Sequence, residues 1–111
     1  MKQLVVPKSY CLGGVKCTVE LVPKIEHDSM LVAADWDSEM NLIRLATHLS
    51  NGKEKPGDKI GHDFCHELVH SMWDALGWEK LNDDEGKVDA MGRMLHQYLT
   101  TASGCLIKCE S

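Results

Sequence analysis

The sequence predicts an α+β domain, with a small antiparallel or mixed sheet followed by two packed helices that carry a metal site. Three observations lead there. Alternating, β-branched segments dominate up to about residue 50, and beyond it apolar residues recur at helical spacing. The helical half also holds His62, His66, His70 and His96, four of the chain's six histidines. A length of 111 residues corresponds to one domain, taken as 1–111.

The elements follow in order. Leu4-Val5-Val6 is expected as a short edge strand. Gly13-Gly14 marks a turn, and Val15 to Val22 alternates in part and is rich in β-branched residues, a strand ending at Pro23. Met30 to Ala34 is a brief apolar run, and Asp35 to Asn41 is polar enough for a turn. Leu42 to Leu49 fits a strand better than a helix, because Ile43, Leu45 and Thr47 alternate with Arg44, Ala46 and His48. Asn51 to Asp58 is a loop with Asn-Gly and Pro-Gly signals. From Lys59 to Leu76, the residues Phe64, Leu68, Val69, Met72 and Leu76 form one apolar helical face, and Gly77 stops it. A second helix opens at Asn82, which is spaced from Glu85 for a capping box. Its expected buried stripe is Val88, Met91, Leu95, Tyr98 and Leu99, and Gly104 breaks the pattern.

Composition removes several functions. Lys plus Arg is 12 against 17 for Asp plus Glu, a net charge of -5, and only Arg44 and Arg93 are arginines. Nucleic acid is therefore not an expected partner, since backbone recognition needs concentrated positive charge. A hydrophobic content of 43% argues against general disorder, and six Met supplement the sparse aromatics as core fillers. No run approaches the roughly 18 apolar residues of a membrane span. Met1 to Pro7 lacks the basic start and long apolar run of a signal peptide, so a cytoplasmic protein is expected. The five cysteines, Cys11, Cys17, Cys65, Cys105 and Cys109, are an odd set expected as mostly free thiols. A four-thiolate metal site from Cys11, Cys17, Cys105 and Cys109 is the alternative, although close C-x-x-C pairing is missing.

The chemistry concentrates in His66-Glu67-Leu68-Val69-His70, an H-E-x-x-H motif inside the first predicted helix. Chance supplies such a pattern in this composition only about 0.02 times. Spacing of i and i+4 puts both imidazoles on one side, about 40° apart and one turn from each other, as two ligands of one zinc require. Glu67 lies beside them, placed to act as general base on a water bound to the metal. Two histidines need a third protein ligand. Glu85, Asp89 and His96 fall within about 40° on one face of the second helix, with Gly92 close by, where a missing side chain lets the first helix approach. A capping-box role competes for Glu85, whereas Asp89 has no such alternative, so Asp89 is the preferred third ligand and Glu85 the second choice. His96 is a candidate for holding an oxyanion or orienting Asp89; the competing reading is a surface histidine near the helix end. His62 is expected at the rim. Trp73 and Trp78 pack the corner between the helices or line a groove.

Residues 60–99, IGHDFCHELVHSMWDALGWEKLNDDEGKVDAMGRMLHQYL, resemble the minimal zincin-like metallopeptidases, and are especially similar to small proteins encoded by bacteriophages and prophages. The shared pieces are His66 to His70, Gly77, Leu81-Asn82, Glu85 and Leu95-His96-Gln97. The likeness extends more loosely to Val15 to Val22 as a strand near the start and Leu42 to Thr47 as an edge strand before the metal helix. In the wider thermolysin-like group the third zinc ligand is a Glu, often followed by Ala, about 20 residues beyond the second His. The matching position here is Asp89-Ala90, 19 residues beyond His70, a departure of one methylene that leaves Glu85 open. Tyr98 and His96 are the candidates for transition-state stabilisers.

The resemblance implies a reduced zincin α+β unit that binds Zn2+, hydrolyses peptide bonds with Glu67 as base, and holds an extended peptide or protein substrate on its edge strand, near Thr47 and His48. If phage-encoded, the compartment would be the host cytoplasm. The alternative is a catalytically weak or inactive binding or regulatory protein stabilised by zinc, since a metal bridging two helices contributes folding energy to a small core.

Overall fold

The computed structural model describes residues 4–104 and has the expected α+β class, with a mixed sheet and three helices. Strand β1 (Ser9–Leu12) pairs antiparallel with β2 (Val15–Val22). Gly13 and Gly14, with φ of 56° and 80°, supply the two positive backbone angles that the tight turn between them requires. The chain then forms a separate hairpin, β3 (Ile25–His27) with β4 (Met30–Val32). It returns to the main sheet as β5 (Ala34–Asp37) and β6 (Leu42–Ala46). Strand order is β1-β2-β6-β5, with β6 parallel to β2 and antiparallel to β5.

Three strand expectations change. The first edge strand is Ser9–Leu12, not Leu4 to Val6: Pro7 has no N–H to give a ladder, and Leu4 and Val6 instead pack their side chains on the core. The segment expected as a turn from Asp35 is largely strand, because Ala34 and Trp36 face the core while Asp35 and Asp37 alternate to the other face. Leu42 to Ala46 is a strand but not an edge. It lies inside the sheet, with Ile43 and Leu45 fully buried, and the free edge beside the helices belongs to β5.

Helix α1 (Gly57–Ala75) follows Pro56, which pre-sets the entry angle, and stops before Gly77 at φ 74°. It lays Ile60, Phe64, Cys65 and Leu68 on Ile43, Leu45 and Trp36 of the sheet. The loop before α1 is pinned by Lys55. Its buried ammonium donates to Asp63 Oδ2 at 2.8 Å and to the Ala33 carbonyl at 3.3 Å, linking the start of the helix to the residue before β5. A single turn, α2 (Glu79–Asn82), precedes α3 (Glu85–Thr101). The capping box expected from Asn82 does not form. Asp84 caps α3 by accepting from the Lys87 N–H at 3.1 Å, because the extra turn of helix shifts the start by two residues.

The buried stripe of α3 differs from the expected one. Val88, Gly92 and Thr100 are buried and Leu95 and Leu99 join the core, while Met91 and Tyr98 lie outward, 45% and 66% exposed. Gly92 explains the rotation. A Cβ there would stand 3.0 Å from His66 Cα and 3.1 Å from His66 N, so the two helices touch backbone to backbone at His66. Gly92→Val is expected to destabilise by about 1–3 kcal/mol through overpacking, despite the gain in helix propensity. A lower urea midpoint at unchanged m checks this.

On the opposite side of α1, the Tyr10 hydroxyl and Ser71 Oγ share a hydrogen bond of 2.8 Å. Burial pushes the Tyr10 phenol up to about 12, against the lowering effect of that bond. The folded chain thus keeps a proton that the unfolded chain loses near pH 10. Stability should fall as pH rises from about 10 to 12, and a Tyr10→Phe variant should lose that part of the slope in alkaline denaturation curves.

Candidate metal centre

The site is assembled where α1 and the first residue of α3 meet. His66 and His70, one turn apart on α1, stand with ring centroids 5.1 Å apart. Glu85 reaches both: its Oε2 lies 3.0 Å from His66 Nε2 and its Oε1 2.9 Å from His70 Nε2. The three ligand atoms lie within 4.8 Å of one another, a spacing on which a divalent cation can close. Two imidazole nitrogens and a carboxylate oxygen are a donor set that zinc favours.

The opposite ring nitrogens are also engaged. His70 Nδ1 lies 2.7 Å from Asn82 Oδ1, and His66 Nδ1 lies 3.4 Å from Asp89 Oδ1. Asn82 Oδ1 and the Asp89 carboxylate are acceptors, so each bond draws a ring proton to Nδ1 and leaves Nε2, on the Glu85 side, as the nitrogen whose lone pair a cation would take. Asp89 is further anchored by Arg93 Nε, which donates to its Oδ2 at 2.7 Å and, as the main cause, holds its carboxyl below the usual range.

The structure therefore gathers His66, His70 and Glu85, and places Asp89 behind His66 rather than among the three. The physical reason lies in the caps. With Asp84 capping α3, Glu85 is free to point at the histidines, and Asn82 is free to hold His70. Asn82 was legible only as a cap. Its role depends on the α2 turn, which has no periodic signal of its own in four residues.

Glu67 sits between the two histidines in sequence and is buried, 7% exposed, while taking no part in the group of three. Burial is the main cause that pushes its carboxyl up to about 7; His66 and His70 lower it, and Glu85 and Asp35 raise it further. An acid with a pKa near neutrality is suited to accepting and returning a proton.

A cavity of about 280 Å3 opens over the group, walled by Ala34, Asp35 and Trp36 of β5 opposite His66, Glu67, His70 and Glu85. A second, of about 190 Å3, continues past His62, Asp63 and Asp89. The β5 wall is itself braced. Asp35 accepts from Arg44 Nε at 3.0 Å and pairs with His27 Nε2 at 2.7 Å, while Trp36 Nε1 donates to Asp74 Oδ2 at 3.2 Å. Burial raises the Asp35 carboxyl, and the bonds from Arg44 and His27 outweigh it, leaving it below the usual range.

The remaining candidates lie elsewhere. His96 adjoins His62, Asp58 and Gly61, two turns along α1 from the group, so the structure does not bring it to Glu85. Tyr98 faces outward. Thr47 and His48 bond each other at 2.8 Å, and His48 lines a different groove with Lys24 and Leu31. Trp73 is half-buried and Trp78 is 49% exposed. Cys17 and Cys65 are buried free thiols and Cys11 is an exposed one; Cys105 and Cys109 lie outside the described residues. No helix among the described residues is long and apolar enough to cross a membrane. No family model matches the chain, and no match to it is found among curated proteins or solved structures.

Proposed function

We propose that the chain is a zinc-dependent peptidase, with Zn2+ held by His66, His70 and Glu85 and with Glu67 as general base. The reading rests on one observation above all: a buried carboxylate, adjacent in sequence to one ligand and left out of the metal group, faces the same cavity as that group. A structural ion would have no use for it. The resemblance of residues 60–99 to the minimal zincin-like metallopeptidases supports the same assignment.

Bound at these three residues, a zinc ion would polarise a substrate carbonyl and lower the pKa of water. Glu67 takes the proton of the attacking water and, in its protonated form, returns it to the departing amine nitrogen. His66 and His70 keep their Nε2 atoms aimed through their bonds to Asp89 and Asn82. The free edge of β5 runs along the cavity, so an extended peptide adds to it by main-chain hydrogen bonds. A single open cleft of this size suits an unstructured peptide segment of a substrate.

A second reading is favoured by the same three residues. They bridge α1 and the start of α3, so a cation there would brace the fold with or without turnover. Hydrolysis separates the two. Purified full-length chain loaded with Zn2+ should cleave members of an unstructured peptide library, lose that activity in a strong chelator, and regain it on adding Zn2+. A chelator-sensitive melting temperature with no cleavage of any peptide would select the bracing role instead.

A further inference from the structure

Beyond the His66 group, the only one among the described residues whose ligand atoms already lie within 4.8 Å of one another, the interface of α1 and α3 holds a second set of side chains of the same kinds. Asp58 and His62 stand at i and i+4 on α1, the same spacing as His66 and His70, and His96 faces them from α3. The arrangement repeats the candidate metal centre two turns nearer the start of α1: a pair on one helix and a single ligand opposite. His62 and His96 meet edge to face with ring centroids 6.0 Å apart, and His96 Nε2 lies 3.6 Å from Asp58 Oδ1.

The second observation is independent of the spacing. His62 Nε2 and His96 Nε2 are both shielded from solvent, and neither has a hydrogen-bond partner among the described residues. A buried polar nitrogen without a partner is costly, and two side by side are unusual in a small domain. The imidazole ring is the commonest protein ligand for a metal. Gly61 makes room for one of the rings, since a Cβ there would stand 3.2 Å from His96 Nε2. Asp58 lies at the surface, 75% exposed, and is free to rotate onto the two rings.

We propose that Asp58, His62 and His96 form a second divalent-cation site, which clips the start of α1 to the far end of α3. Two imidazoles and one carboxylate select late first-row ions such as Ni2+ or Zn2+ over Ca2+ or Mg2+, which prefer all-oxygen sites. One ion would then sit at each end of the helix pair, and the second would stiffen the scaffold beside the cavity that His62 lines with Ala34 and His66.

The test is calorimetric titration of Ni2+ into the full chain with its accessible thiols alkylated. Two binding steps are expected. Glu85→Gln should remove one of them, and His62→Gln or His96→Gln the other, while His48→Gln leaves both. Circular dichroism checks that each variant is folded. Asp58→Asn, at an exposed position, serves as a further variant and should weaken the second step by about tenfold. A single equivalent that Glu85→Gln removes and both histidine variants keep overturns the proposal. So does a second step that persists unchanged in both histidine variants or in Asp58→Asn.

Discussion

Glu67→Gln is expected to abolish measurable peptide hydrolysis, a loss of at least about 10²–10⁴-fold, while zinc affinity stays within a few-fold of the unaltered chain. Gln preserves the volume of the buried side chain but cannot accept a proton. Because Glu67 lies outside the group of three, its removal leaves His66, His70 and Glu85 in place. The neutral amide also avoids placing an ionised carboxylate at a 7% exposed position, so the variant should fold at least as well as its parent. Peptide cleavage and zinc titration on the same preparation check both halves. Cleavage retained by the pure variant would rule out Glu67 as base, and lost zinc would make it a ligand.

The second large effect separates two neighbouring acids. Glu85→Gln should weaken zinc binding by more than the roughly 10–100-fold that removing a residue behind a ligand costs. Asp89→Asn should fall within that range, because Asp89 acts on the metal only through His66 Nδ1. Asn82→Ala, which releases His70 Nδ1, should resemble Asp89→Asn. Competition with a chromophoric chelator measures all three. Equal losses for Glu85→Gln and Asp89→Asn would mean that both carboxylates reach the ion. The order reversed would restore Asp89 as the ligand that its position beyond His70 suggests.

Why Asp89 looked preferable, and why the structure favours Glu85, is a question of local against tertiary information. The H-E-x-x-H pattern is readable because both ligands and the base lie on one helix, where spacing fixes geometry. The third ligand depends on how another helix begins. Asn82 and Glu85 have capping-box spacing, and nothing local reveals that a four-residue turn intervenes and passes the cap to Asp84. Strand β2 was legible from its β-branched alternation over eight residues. Strand β5 was not, since Asp35 and Asp37 make half of it polar, and Asp35 is accommodated only through Arg44 and His27. The exposure of Met91 and Tyr98 likewise follows from Gly92, whose contact with the His66 backbone sets the rotation of α3.

The most direct test of the metal assignment is a crystal structure of the zinc-loaded chain with anomalous scattering at the zinc edge. The account predicts a peak about 2.0–2.2 Å from His66 Nε2, His70 Nε2 and a Glu85 carboxylate oxygen, with one position left to solvent and Glu67 facing it. Asp89 and Asn82 should remain on the two Nδ1 atoms. A peak ligated by Asp89 with Glu85 turned away, or closed by four protein side chains, would contradict it.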